Sequence, residues 1–238
     1  MPGPDLRRLW GVLAVVTLLA VLILGLFPAI DLGASALFFH PGSRVGAGFW
    51  IDALPASGVF RYALWYASLA LVMVALVGLA LAGVRQAPAL GMPARVWAFI
   101  LALYLLAPGV IVNLWLKAYW GRARPANVVE FGGPQDFTPF WQMADQCQSN
   151  CSFVSGEGAA AMALGISLYV LIRAAGSGLS PALRRAGLML ALAIPVLGGA
   201  QRLITGRHFL SDTIMAMAIV AAVALVLQSV ILRPARPR

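Results

Sequence analysis

Runs of apolar residues long enough to cross a bilayer dominate the chain, and polar residues gather in the gaps between them. A helix rises 1.5 Å per residue, so a hydrocarbon core of about 30 Å takes about 20 residues. Six segments fit or nearly fit that length: about 9–30, 59–84, 95–116, 158–172, 186–200 and 209–232. The fourth and fifth are short as written and are expected to recruit neighbours such as residues 153–154 and 203–204. Pro108 and Pro195 fall inside spans, where a missing backbone N–H predicts kinks that packed neighbouring helices tolerate. The first run follows Arg7-Arg8, is too long for a signal-peptide core and lacks a prompt cleavage site, so it reads as a retained span. The prediction is an all-α, polytopic membrane protein: six transmembrane helices in one bundle, forming a single domain over residues 1–238.

Composition agrees. Apolar residues make up 61% of the chain and charged ones 11%, with a mean hydropathy of +0.89, well outside the range of a soluble domain. The net charge of +9 raises nucleic acid as a partner. No basic amphipathic run with interleaved aromatics supports that, and membrane topology explains the charge better. With the N-terminus in the cytoplasm, the inner side holds Arg7, Arg8, Arg85, Arg95, Arg173, Arg184, Arg185, Arg233, Arg236 and Arg238. The outer side holds Arg44, Arg61, Lys117, Arg122, Arg124, Arg202 and Arg207. It also holds Asp31, Asp52, Glu130, Asp136, Asp145, Glu157 and Asp212. Short, purely basic inner loops and longer, mixed, aromatic outer loops predict both termini inside and the chemistry outside.

The first outer segment, 31–58, carries Phe38-Phe39 and Phe49-Trp50, which suit a membrane interface, and is a candidate for an amphipathic helix lying on the bilayer. His40 precedes a proline with no acidic or histidine partner nearby and reads as a surface residue. The second outer segment, 117–157, is the longest and contains Cys147 and Cys151. Two cysteines with two distant histidines do not make a zinc site. In an oxidising compartment they form a candidate disulfide loop, the alternative being a pair of free thiols.

Three charged constellations fall on the outer side. The first joins Lys117, Arg122 and Arg124 in eight residues at the end of the third span. Cations suit helix C-termini, but the positive-inside rule disfavours them here, and a bound phosphate would compensate. In the second, Ser155-Gly156-Glu157 opens the fourth span, offering a hydroxyl and free amides where anions bind, or an ordinary helix cap. The third runs from Arg202 through Arg207 and His208 to Asp212. Ionisable groups in such a place cost roughly 2.5–3.5 kcal/mol each and point to function. His208 and Asp212 are four apart, so on a helix the carboxylate can hold one imidazole nitrogen and leave the other free as a nucleophile. The alternative is a charged loop in which Asp212 pairs with Arg207. Together the three supply Lys117, Arg122, Arg124 and Arg202 to neutralise a phosphate, Ser155 and the Gly156 amide as further donors, His208 to attack, and Glu157 to handle a proton. Phosphoryl transfer depends mainly on positioning and charge, so such a cage needs no metal.

These spacings resemble the type 2 phosphatidic acid phosphatase superfamily, membrane lipid phosphatases related to vanadium haloperoxidases. Its first motif, Lys, six residues, Arg-Pro, matches Lys117 to Arg124-Pro125. Its third, Arg, five residues, His, three residues, Asp, matches Arg202, His208 and Asp212. Its second, Pro-Ser-Gly-His, aligns with Val154-Ser155-Gly156-Glu157, and Gln201 stands where a serine usually precedes the third motif. The resemblance implies attack by His208 to form a phosphohistidine, with Asp212 orienting the imidazole. It also implies a phosphate held by Lys117, Arg124, Arg202, Ser155 and the Gly156 amide. Glu157 stands where the family has the histidine that protonates the leaving group. That variant resembles a bacterial subgroup of lipid A phosphatases.

The expectation is therefore a metal- and cofactor-free lipid phosphatase in a bacterial inner membrane, its site facing the periplasm. Its partners would be the bilayer and a phospholipid or lipid A-type substrate, with no nucleic acid and no obligate protein partner. Undecaprenyl diphosphate and phosphatidylglycerophosphate are alternative substrates, and a lipid phosphotransferase an alternative reaction. A non-catalytic protein that binds anionic lipid is the rival from another class. A transporter is disfavoured because the charges cluster at one face rather than at the midplane.

Overall fold

Proline 28 cannot continue a helix, and the first span ends just before it. A computed structural model describes residues 5–42 and 45–232, and its regular structure is helical. Helix α1 (Leu6–Leu26) is capped by the Asp5 side chain, which accepts from the Arg7 amide at 3.0 Å. The short α2 (Ala29–Ala36) follows. The remaining spans are α3 (Pro55–Arg85), α4 (Ala94–Tyr119), α5 (Gly156–Ala175), α6 (Pro181–Ile204) and α7 (Leu210–Leu232). Six helices are thus long and apolar enough to cross a membrane. Arg44, Arg233, Arg236 and Arg238, used above to weigh orientation, lie outside the described residues.

The boundaries differ from the sequence expectation in instructive ways. Residues 27–30 do not extend α1. Instead, α2 turns Asp31 and Ser35 inward, so the first outer segment contributes a buried carboxylate rather than only an interfacial helix. The fourth span lengthens at its far end and not through residues 153–154, because Ser155 already caps it, its hydroxyl accepting from the Gly158 amide at 3.1 Å. The fifth span does take in residues 203–204. Pro108 lies in a stretch of α4, Leu105–Leu116, wound as a π helix, and the Asn113 side chain donates to the Pro108 carbonyl at 2.6 Å.

The core sits between α4, α5 and α7, where Ile100, Leu103, Val112, Ala159, Ala163, Ala216 and Val220 are buried, with α3 and α1 packed outside. Small residues line the buried face of α5, the device that lets helices approach when lipid offers no hydrophobic drive. Gly165 shows it best. Pro195 has no N–H to give the Ala191 carbonyl one turn earlier, and α5 closes on that point. A Cβ on Gly165 would lie 2.5 Å from the Ala191 oxygen and 2.9 Å from the Pro195 ring. A second, smaller cluster of Phe49, Val128, Phe131 and Phe209 packs among the outer loops at the ends of the helices.

Gly165→Leu is expected to cost about 1–3 kcal/mol through overpacking, read as a lowered unfolding midpoint in detergent. Gly83→Leu meets open space and should stay within about 0.5 kcal/mol. Equal effects at the two positions would contradict the packing.

Candidate active site

Backbone hydrogen bonds stitch the three charged constellations together at one end of the bundle. The Ser152 amide donates to the Arg122 carbonyl at 2.9 Å, joining the loop after α4 to the entry of α5. The Ala126 amide donates to the Gly206 carbonyl at 3.0 Å, joining the same loop to the α6–α7 turn. The Ser155 amide donates to the Asp212 carbonyl at 3.2 Å, joining the starts of α5 and α7. The α6–α7 turn needs Gly206. Its φ is +63°, and a Cβ there would fall 2.3 Å from the Phe49 ring.

The result is a cavity of about 160 Å³ lined by Lys117, Arg124, Arg202, His208 and Glu157, together with Asp52, Arg61, Asn150 and Arg207. Five cations face two carboxylates, a balance that calls for an anion. Lys117 is 8% exposed, and its ammonium group makes no hydrogen bond or ion pair among the described residues. Arg202 bonds through one terminal nitrogen to Glu157 at 2.7 Å and Gln201 at 2.9 Å, while its buried Nε has no acceptor among the described residues. Arg124 donates to the Asn150 carbonyl at 2.7 Å. Burial, and then the like charge of Arg207, push the Arg124 guanidinium below its usual value. Phosphate oxygens are the ligand that these unspent donors suit.

His208 is 2% exposed and lines this cavity. Its Nδ1 lies 2.7 Å from the Ser152 carbonyl. A carbonyl only accepts, so Nδ1 carries the proton and Nε2 keeps its lone pair. Burial lowers the imidazole to about 4, with the Asp212 carboxylate pulling the other way. The ring is therefore neutral at neutral pH, as a nucleophile requires.

Asp212 stands behind this contact rather than in it. Its Oδ2 is 3.8 Å from His208 Nδ1, beyond hydrogen-bond reach. That oxygen accepts instead from the Ser152 hydroxyl at 2.5 Å and the Phe209 amide at 2.9 Å, and Oδ1 accepts from Arg122 at 2.6 Å. The carboxylate thus caps α7 and holds the residue whose carbonyl orients the ring. Sequence spacing placed Asp212 directly on the imidazole; the structure interposes Ser152.

Arg122, grouped in the sequence with the phosphate ligands, does not line the cavity. It is fully buried and donates to Asp212, to Asp31 at 2.9 Å, to the Ser211 hydroxyl at 2.9 Å and to the Thr138 carbonyl at 2.8 Å. Its guanidinium also lies 4.4 Å from the centre of the Phe209 ring. With carboxylates on two sides and no exposed surface, its guanidinium is committed to the protein. Ser155 is fully buried as the cap of α5, and Gly156 sits against Lys117 and Asn113. Neither lines the cavity as it stands.

Both Glu157 oxygens are engaged, Oε1 by Arg61 at 2.8 Å and Oε2 by Arg202. Arg61, Asp52, Asn150 and Arg207 were missed as site residues. Arg61 had a signal, a lone cation early in a long apolar run. Asp52, which pairs with Arg207, and Asn150 had none, because loop packing alone brings them here. Cys147 and Cys151 are bridged, with Cα atoms 5.6 Å apart, closing the loop that carries Asn150. His40 is exposed, edge-on to Trp50, and outside the cavity.

A family model described as PAP2 superfamily matches residues 97–234. The chain is also similar to three proteins named Lipid A 4′-phosphatase. That of Rhizobium leguminosarum is 39% identical over 115 residues, 48% of this chain and 46% of that protein. That of Rhizobium etli is 39% identical over 112 residues, 47% and 40% respectively. That of Francisella tularensis subsp. novicida is 34% identical over 119 residues, 49% of each. The chain spans about half the length of the curated relatives it matches. No solved structure matches it.

Two arginines close in sequence should respond differently to substitution. Arg122→Met leaves Asp31 and Asp212 buried without their cation and should cost about 3–5 kcal/mol of stability. Arg124→Met should leave the unfolding midpoint nearly unchanged and weaken orthophosphate binding. Calorimetry on both variants checks this, and a stable Arg122→Met protein with lost phosphate binding would reverse the assignment.

Proposed function

The chain belongs to the PAP2 superfamily, and from that premise we propose that it is a phosphatase of membrane lipids acting on a lipid A-type head group. The observation that carries this reading is the neutral, tautomer-fixed His208 in a cavity with Lys117, Arg124 and Arg202. Nε2 of His208 attacks phosphorus, an N–P bond forms, and the bond from phosphorus to the head-group oxygen breaks. The departing oxygen takes a proton, assigned to Glu157. Water then gives a proton back to the Glu157 carboxylate as its oxygen attacks phosphorus; the N–P bond breaks, releasing orthophosphate and restoring both the imidazole and the acid. Lys117, Arg124 and Arg202 hold the non-bridging oxygens, with Ser155 and the Gly156 amide approaching once phosphate is in place. Positioning and charge carry the chemistry, without a metal. The arginine distribution supports both termini on the cytoplasmic side of a bacterial inner membrane and a site open to the periplasm.

The deciding experiment is phosphate release by purified protein in detergent with excess EDTA. Lipid A, undecaprenyl diphosphate and phosphatidylglycerophosphate are compared, each beside His208→Ala. Release from lipid A alone, absent in the variant, is expected. Full activity of His208→Ala, or loss in EDTA rescued by a divalent ion, would overturn the mechanism.

The acid-side limb of the pH profile should also be displaced. Protonation removes the Nε2 lone pair, so the rate of phosphohistidine formation rises with pH through the His208 pKa. Burial places that limb near pH 4, where an unperturbed imidazole would place it at about 6.5. Single-turnover rates between these values check it, and a limb near 6.5 would show that His208 is exposed to water in the working enzyme.

A further inference from the structure

A large cavity lies at the end of the bundle remote from His208, and the proposed reaction makes no use of it. It measures about 900 Å³ and opens between the N-terminal halves of α1 and α4 and the C-terminal halves of α5 and α7. Val16, Phe99, Val170 and Leu225 give it apolar walls. Arg95 and Arg173 line it too, with Tyr169 and Gln228. We propose that this cleft binds one anionic phospholipid, its acyl chains along the apolar walls and its head group on Arg95 and Arg173.

The volume falls in the range of ligand sites, about 300–1,000 Å³. An empty apolar cleft of that size between helices would fill with any acyl chain, so the charges decide the occupant. Arg95 is the second residue of α4 and Arg173 lies in the last turn of α5, which puts both near the level where a head group sits. Neither guanidinium makes a hydrogen bond or ion pair among the described residues. Among the described residues no carboxylate lines the cleft; Asp5, near the same end, is engaged in capping α1. Two cations lining one apolar groove suit a lipid phosphate, and basic pockets between spans recognise such head groups. The residues following Leu232, which lines the cleft, add three arginines in sequence. That charge favours an anion.

The test uses the full chain in mild detergent, titrated with phosphatidylglycerol or phosphatidylcholine of identical acyl chains and read by native mass spectrometry. One phosphatidylglycerol per chain is expected, bound about tenfold or more tighter than phosphatidylcholine. Arg95→Ala/Arg173→Ala should erase the preference while phosphohistidine chemistry at the other end persists. Arg95→Gln/Arg173→Gln should do the same and serves if the alanine pair fails to fold. Equal retention of the two lipids, or an undiminished preference in either variant, would overturn the proposal. A dimer insensitive to lipid would give the cleft to a second copy. Binding that appears only after residues 233–238 are removed would give it to the tail. Either result also overturns it.

Discussion

One buried guanidinium holds the working end of this bundle together. Arg122 joins Asp31 on α2 to Asp212 on α7 from a loop that also carries Arg124. Taking three charges out of water is costly, and the contacts return that cost only if nearly every donor and acceptor is used. Here nearly every one is. Asp31 also accepts from the Ser211 amide and hydroxyl, and Asp212 from Ser152 and Phe209. Such a network tolerates one arrangement, so the loop after α4, the entry to α5 and the start of α7 have fixed relative positions. The cavity inherits its geometry from this.

The same network explains how His208 is set. Two carboxylates share one guanidinium, leaving a residual negative charge behind the imidazole. The Ser152 carbonyl stands between them, fixing the tautomer without taking the proton away. In the proposed reaction the ring would gain positive charge as Nε2 bonds to phosphorus, and Asp212 at 3.8 Å is close enough to stabilise it. The carboxylate is thus freed from direct contact for a structural duty, and it still acts on the ring through the field. Burial, which suppresses the protonated ring at rest, strengthens that field when the charge develops.

Much of this was legible in the sequence. Six apolar runs announced the spans, and fixed spacings announced Lys117, Arg124, Arg202, His208 and Asp212 as a group. The failures share a cause. Arg122 and Arg124 look alike as outward cations two residues apart, and only Asp31, 91 residues away, separates their roles. The orienting group on His208 is a main-chain carbonyl, which no side-chain pattern reports. Span ends slipped where local chemistry outweighed hydropathy, at Pro28 and at the Ser155 cap. Asp52 and Asn150 reach the cavity through loop closure, the one by pairing with Arg207 and the other through a disulfide, and neither leaves a periodic trace.

Glu157 is the residue where sequence and geometry inform each other most. It replaces a histidine, and it lies between Arg61 and Arg202, with a carboxylate oxygen on each. A phosphate entering the cavity competes for Arg202, whose unpaired Nε already lacks an acceptor. As the dianion takes Arg202, Glu157 keeps only Arg61, the partner on the open rim, and meets a new negative charge beside it. In the proposed reaction the substrate would thus free one oxygen of an ion-paired glutamate next to the leaving group. A histidine in the same place would gain nothing from Arg61. Glu157 and the α3 arginine that it pairs with therefore read as one unit at the rim of the cavity.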